Sequence, residues 1–107
     1  MLNQLESISN GKFVKISLSA TGALVNAIAD KNIRVVSYTV VATAAGTVRF
    51  DSGSTALTGA MSFAANGGAA TAFCPIGLFE TAKGQALNMT ISGTGPIEGH
   101  LTYVEAI

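Results

Sequence analysis

Two side chains could form a thiol–imidazole pair, Cys74 and His100. Nucleophilic catalysis by such a pair needs a third group to orient the imidazole and donors to hold an oxyanion, and nothing in the spacing supplies them. A cysteine directly before Pro75, at the end of an extended run, reads instead as a small buried hydrophobe. Glu98 and His100 lie two apart and could place two metal ligands on one strand face, but a zinc site needs three or four, and the chain has a single His and a single Cys. Asp30, Asp51, Glu80 and Glu98 follow no calcium-loop pattern. The run Gly93 to Gly99 is rich in glycine but lacks the Lys-Ser/Thr of a phosphate loop. The expectation is therefore a non-enzyme, with no catalytic residue, no cofactor and no metal.

Composition narrows the partners. Six Lys/Arg balance six Asp/Glu for a net charge of zero, and only 11% of the 107 residues are charged while 49% are hydrophobic. Lys12, Lys15, Lys31, Arg34, Arg49 and Lys83 are scattered, so the clustered basic surface that nucleic acid or an anionic membrane demands is missing. No apolar run reaches the ~20 residues of a spanning helix, and the first residues lack the pattern of a secretory signal, which points to cytoplasmic folding. A lone Cys74 leaves no intramolecular disulfide to staple the fold.

The elements that must position these groups are strands. Helical periodicity is nearly absent, and short alternating blocks are separated by turn residues, which predicts about eight antiparallel strands. Val14, Ile16 and Leu18 alternate with Lys15, Ser17 and Ser19, and Leu87, Met89 and Ile91 alternate with Asn88, Thr90 and Ser92. Between Ile33 and Ala42 both faces are apolar: Val36, Tyr38 and Val40 point one way, Ile33, Val35 and Val41 the other. An antiparallel strand normally wets one face, so the face of Ile33, Val35 and Val41 is expected to be covered by a neighbouring subunit or a terminal segment, the alternative being a central strand beneath its own loops. Phe13, Phe50, Phe63 and Phe73 read as core, and Asn66-Gly67-Gly68 as a tight hairpin. The segment Cys74 to Ala86 is long enough to cross between sheets. The fold class is all-β, an antiparallel two-sheet jelly-roll-like sandwich over residues 12–107, preceded by a short N-terminal arm over residues 1–11.

Six blocks carry a resemblance: Ile33-Arg34-Val35, Ser52 to Ala60, Ala64-Ala65-Asn66-Gly67-Gly68, Phe79-Glu80-Thr81-Ala82, Gly84 to Asn88, and Gly99 to Tyr103. In this order they resemble small β-sandwich structural proteins of tailed bacteriophages. The resemblance implies a virion protein, foremost a head decoration (cement) protein on the capsid surface, assembled in the bacterial cytoplasm. Its expected partners are copies of itself, as a trimer, and the major capsid protein, with the Met1–Asn10 arm reaching a neighbour. The alternatives are a tail, fibre or head–tail connector component, or a lectin-like module for host glycans.

Overall fold

The computed structural model describes residues 11–107, all of them strand, turn or loop; the expected Met1–Asn10 arm lies outside the described residues. Ten strands follow in order: β1 (Lys12–Leu18), β2 (Gly22–Val25), β3 (Asn32–Ala42), β4 (Gly46–Ser52), β5 (Thr55–Ala56), β6 (Met61–Phe63), β7 (Gly68–Ala70), β8 (Phe79–Glu80), β9 (Leu87–Gly93) and β10 (Ile97–Ala106). They make two antiparallel sheets. One runs β1-β10-β3, with β7 and β8 both on the far edge of β3; the other runs β2-β9-β4, with β5 and β6 both on the far edge of β4. If each pair of short strands is counted as one broken strand, eight remain, in the order of two interleaved Greek keys that defines a jelly roll.

Successive strands mostly exchange sheets, so hairpins are scarce. Ser52 pairs with Thr55 across a two-residue loop, Gly53-Ser54, in which Gly53 has φ 58°. A primed turn with glycine first suits the twist of paired strands. The turn expected as a hairpin at Asn66 is different. Asn66 does adopt a positive φ of 64°, but β6 pairs with β4 and β7 with β3, so this turn carries the chain from one sheet to the other. The predicted crossover after Cys74 is present, interrupted by β8; Thr81 secures it by accepting from the Ile33 amide at 2.9 Å and donating its own amide to the Ile33 carbonyl at 3.0 Å.

The core between the sheets contains Ile16, Ile33, Val35, Val40, Val48, Phe50, Leu87, Met89, Ile97 and Leu101, each at most 2% exposed. Phe50 stacks at 4.9 Å from both Tyr38 and Phe79, in tilted pairs of the kind aromatic quadrupoles favour. At Gly99, in the middle of β10, a Cβ would collide with the Thr39 carbonyl oxygen of the adjoining β3. Only glycine lets the two backbones approach so closely.

The doubly apolar stretch of β3 has a local cause. Thr102 faces Ser37 and Tyr103 faces Val35, so Val36 is an extra residue, a β-bulge. Because side chains alternate with period two, one inserted residue exchanges the faces. Ile33 and Val35 point into the core before the bulge, and Tyr38, Val40 and Ala42 point into it afterwards. The expectation of an external partner for Ile33 and Val35 is thus corrected: both are 0% exposed within the chain, and of the three residues only Val41, at 40%, reaches the surface.

Candidate functional site

On β4 and β9, with Val48, Phe50, Leu87 and Met89 turned inward, Arg49, Asp51, Asn88 and Thr90 occupy the outer face. The register sets Arg49 opposite Thr90 and Asp51 opposite Asn88, with Ala23 of β2 beyond Asn88. Together with Thr21, Gly22 and the Gly53-Ser54 turn they enclose a recess of about 350 Å³.

Its floor is a closed polar network. The Arg49 Nε donates to Asp51 Oδ1 at 2.7 Å, and Arg49 Nη2 donates to Thr90 Oγ1 at 3.4 Å. The Thr90 hydroxyl donates in turn to Asp51 Oδ2. Asp51 is 2% exposed, whereas 37% of the Arg49 side chain is exposed, so the carboxylate is hidden and the guanidinium forms the accessible end. Burial, the largest influence on the Asp51 carboxyl, pushes its pKa up, but the hydrogen bonds from Arg49 and Thr90 and the Arg49 charge outweigh it and hold the pKa below its ordinary 3.8. Asp51 is ionised at neutral pH and both of its oxygens are engaged. Around the rim Asn88 Nδ2 donates to the Gly53 carbonyl at 2.7 Å, which ties the β4–β5 turn to β9. Thr21 Oγ1 accepts from the Ile91 amide at 3.0 Å, which fastens the start of β2.

The other sheet presents a different surface. Phe13 on β1 is 84% exposed, and Phe73, Ile76 and Leu78 in the β7–β8 connection are 53%, 83% and 37% exposed. Two of the four phenylalanines expected in the core, Phe13 and Phe73, are thus at the surface, while Phe50 and Phe63 are in or against it. The connection that carries Phe73 and Ile76 is fixed to the edge of β3, where Cys74 N donates to the Val36 carbonyl at 2.9 Å and Leu78 N to the Val35 carbonyl at 2.7 Å.

The residues singled out for chemistry are dispersed, except that Glu98 and His100 share the outer face of β10 as expected. Cys74 lies in that connection on one side of β3, and His100 is exposed on β10 on the other side, opposite Thr39. Glu98 accepts the Ser17 hydroxyl at 2.9 Å, Glu80 pairs with Arg34 at 2.6 Å, and Asp30 stands in a turn with φ 61°. No three His, Cys, Asp or Glu side chains among the described residues converge on one point.

The recess itself was not anticipated. Its signal was the opposite charges of Arg49 and Asp51 flanking Phe50, beside the polar positions Asn88 and Thr90 of a second alternating strand. No protein-family description, curated protein or solved structure matches the chain.

Proposed function

We propose that the protein is a non-enzymatic structural component of a tailed-phage virion, a trimeric capsid decoration protein that packs on copies of itself and on the major capsid protein. The observation that carries this reading is the collection of exposed apolar side chains on the β1 sheet and its edge: Phe13, Val41, Phe73, Ile76 and Leu78. Phe73, Ile76 and Leu78 are grouped on the connection along the edge of β3, and apolar groups gathered in this way mark a contact surface, whereas Phe13 and Val41 are separated by the polar row Lys15, His100 and Thr39. Phe73 and Ile76 have little freedom to lose on docking, because main-chain bonds at Cys74 and Leu78 already anchor their segment. A standard contact takes ~800 Å² from each partner, so two neighbours in a ring would cover more than a quarter of the 5909 Å² surface. The jelly roll is a fold of viral capsid domains and equally of lectins and cupins, so it supports the reading by analogy alone.

The test has two parts. Light scattering on the purified chain should give a trimer mass, and Phe73→Asp with Ile76→Asp should give a single-chain mass with a native strand circular-dichroism spectrum and a melting temperature that no longer depends on protein concentration. Mass spectrometry of gradient-purified particles from a culture producing the phage should then find the protein at a copy number comparable to the capsid protein. A wild-type monomer, or a protein absent from intact particles, would overturn the proposal.

A further inference from the structure

We propose that the recess on the outer face of the β2 sheet binds a carboxylate-bearing sugar, with Arg49 gripping the carboxylate. The inference is independent of the virion reading, since it concerns the sheet opposite the apolar surface.

The arrangement of Arg49 is the first argument. A guanidinium carries five N–H donors in a planar fork. The Asp51 carboxylate takes the Nε side at 2.7 Å and Thr90 approaches Nη2 at 3.4 Å, which leaves Nη1 and the second Nη2 hydrogen without a partner among the described residues. The free end of the fork is the geometry that takes a carboxylate through two parallel hydrogen bonds. Arg34 provides a contrast on the other sheet. There the carboxylate of Glu80 also meets Nε, at 2.6 Å, but the two side chains are 35% and 34% exposed, an ordinary surface pair. Asp51 is instead almost wholly buried, a costly location for a carboxylate whose visible result is to hold one arginine still.

The lining selects the rest of the ligand. The Ser54 hydroxyl and the Asn88 side chain, which spends one amide hydrogen on the Gly53 carbonyl, remain to meet ring hydroxyls, while the Thr21 hydroxyl is engaged by the Ile91 backbone and that of Thr90 by Arg49 and Asp51. At about 350 Å³ the recess is at the small end of ligand sites, near the low limit of roughly 300 Å³, and fits one sugar ring with its substituents. The charge of Asp51 offsets that of Arg49, so the site favours a singly charged group over a phosphate. A neutral hexose would leave the fork unpaired.

The full-length chain, labelled with nitrogen-15, should be titrated with glucuronate, galacturonate, glucose, acetate and inorganic phosphate. Glucuronate or galacturonate should shift the Arg49 Nε–H and Asn88 side-chain amide signals and bind about tenfold more tightly than acetate, with glucose and phosphate weaker still. Arg49→Lys keeps the charge but removes the fork, and should weaken binding about tenfold or more. Ala23→Glu, at an exposed position on the rim, should do the same by repulsion while the remaining spectrum stays native, which guards against loss of fold in the arginine variant. Oligogalacturonate binding more tightly than the monomer would identify a polysaccharide as the source, and equal affinity a free sugar acid. No shift with either uronate, glucose or phosphate binding as well as the uronates, acetate binding equally well, or binding unchanged in both variants would each overturn the proposal.

Discussion

The two sheets of this sandwich share one core and differ on their outer faces. The β1 sheet exposes Phe13 and Val41 and carries Phe73, Ile76 and Leu78 at its edge, whereas the β2 sheet has Arg49, Asp51, Asn88 and Thr90 around a recess. The inner faces are similar in character, since both are built of Val, Ile, Leu and aromatic side chains in alternation, with Met61 and Met89 added on the β2 sheet. Folding requires only that alternation. The outer faces are free to diverge: the β1 sheet carries Lys15, Thr39, Glu98 and His100 there and keeps exposed apolar groups at Phe13, at Val41 and along its β3 edge, while the β2 sheet gathers its polar side chains around the recess. The comparison depends on Val35 and Val41 belonging to opposite faces of β3. Val35→Asp should therefore cost about 4–5 kcal/mol or abolish folding, because it buries an unpaired charge, while Val41→Asp should change stability by less than about 0.5 kcal/mol and weaken self-association instead. Urea melts and light scattering on both variants measure this; equal stability losses would mean that the bulge at Val36 does not separate the two faces.

A smaller effect probes the polar sheet. Asp51→Asn should lower stability by about 1–3 kcal/mol at pH 7, since Arg49 and Thr90 lose a charged acceptor in a place with little water. Its carboxyl is held below 3.8, so the native state favours the ionised form more than the unfolded chain does. The stabilisation is present above the unfolded pKa and is lost as pH falls through the lower folded value. The gap between wild type and Asp51→Asn, read from urea midpoints, should thus be constant near neutrality and close below about pH 4. A gap that widens on acidification would show that the carboxylate is not the stabilised form.

What could be read from the sequence follows from which interactions are local. β1 and β9 were legible because each alternates cleanly across seven residues, and the jelly-roll class followed from the strand count and the crossover after Cys74. β8 was missed because two residues, Phe79 and Glu80, cannot display a period. The bulge at Val36 was misread as a strand with two covered faces, since a phase change and a doubly apolar strand leave the same pattern; only pairing with β10 distinguishes them. Asn66 announced its positive φ but not which strands it would join. The recess was invisible for the same reason. Arg49 and Asp51 are two residues apart, but Thr90 and Ala23 come to them through the register of β4 with β9 and of β9 with β2, which no local pattern encodes.

The smallest expected effect lies on the β1 sheet, which has its own perturbed group. Tyr103 packs against the core at the end of β10, two residues before Glu105, and its phenol is raised above the ordinary 10.0, first by burial and then by the Glu105 charge. Both influences favour the neutral phenol. Here the linkage runs opposite to that of Asp51. The native state holds the Tyr103 proton more tightly than the unfolded chain, so its contribution to stability is complete below pH 10 and fades as pH rises through the folded value. Glu105→Gln removes the secondary cause and leaves burial in place. In an ultraviolet titration the alkaline tyrosine transition should therefore move slightly downward and still not reach the ordinary value, with stability at pH 7 changed by less than about 0.5 kcal/mol. A full return to the ordinary value would make charge, not burial, the governing influence at this edge, and the β1 sheet would then resemble the β2 sheet in the way it tunes an ionisable group.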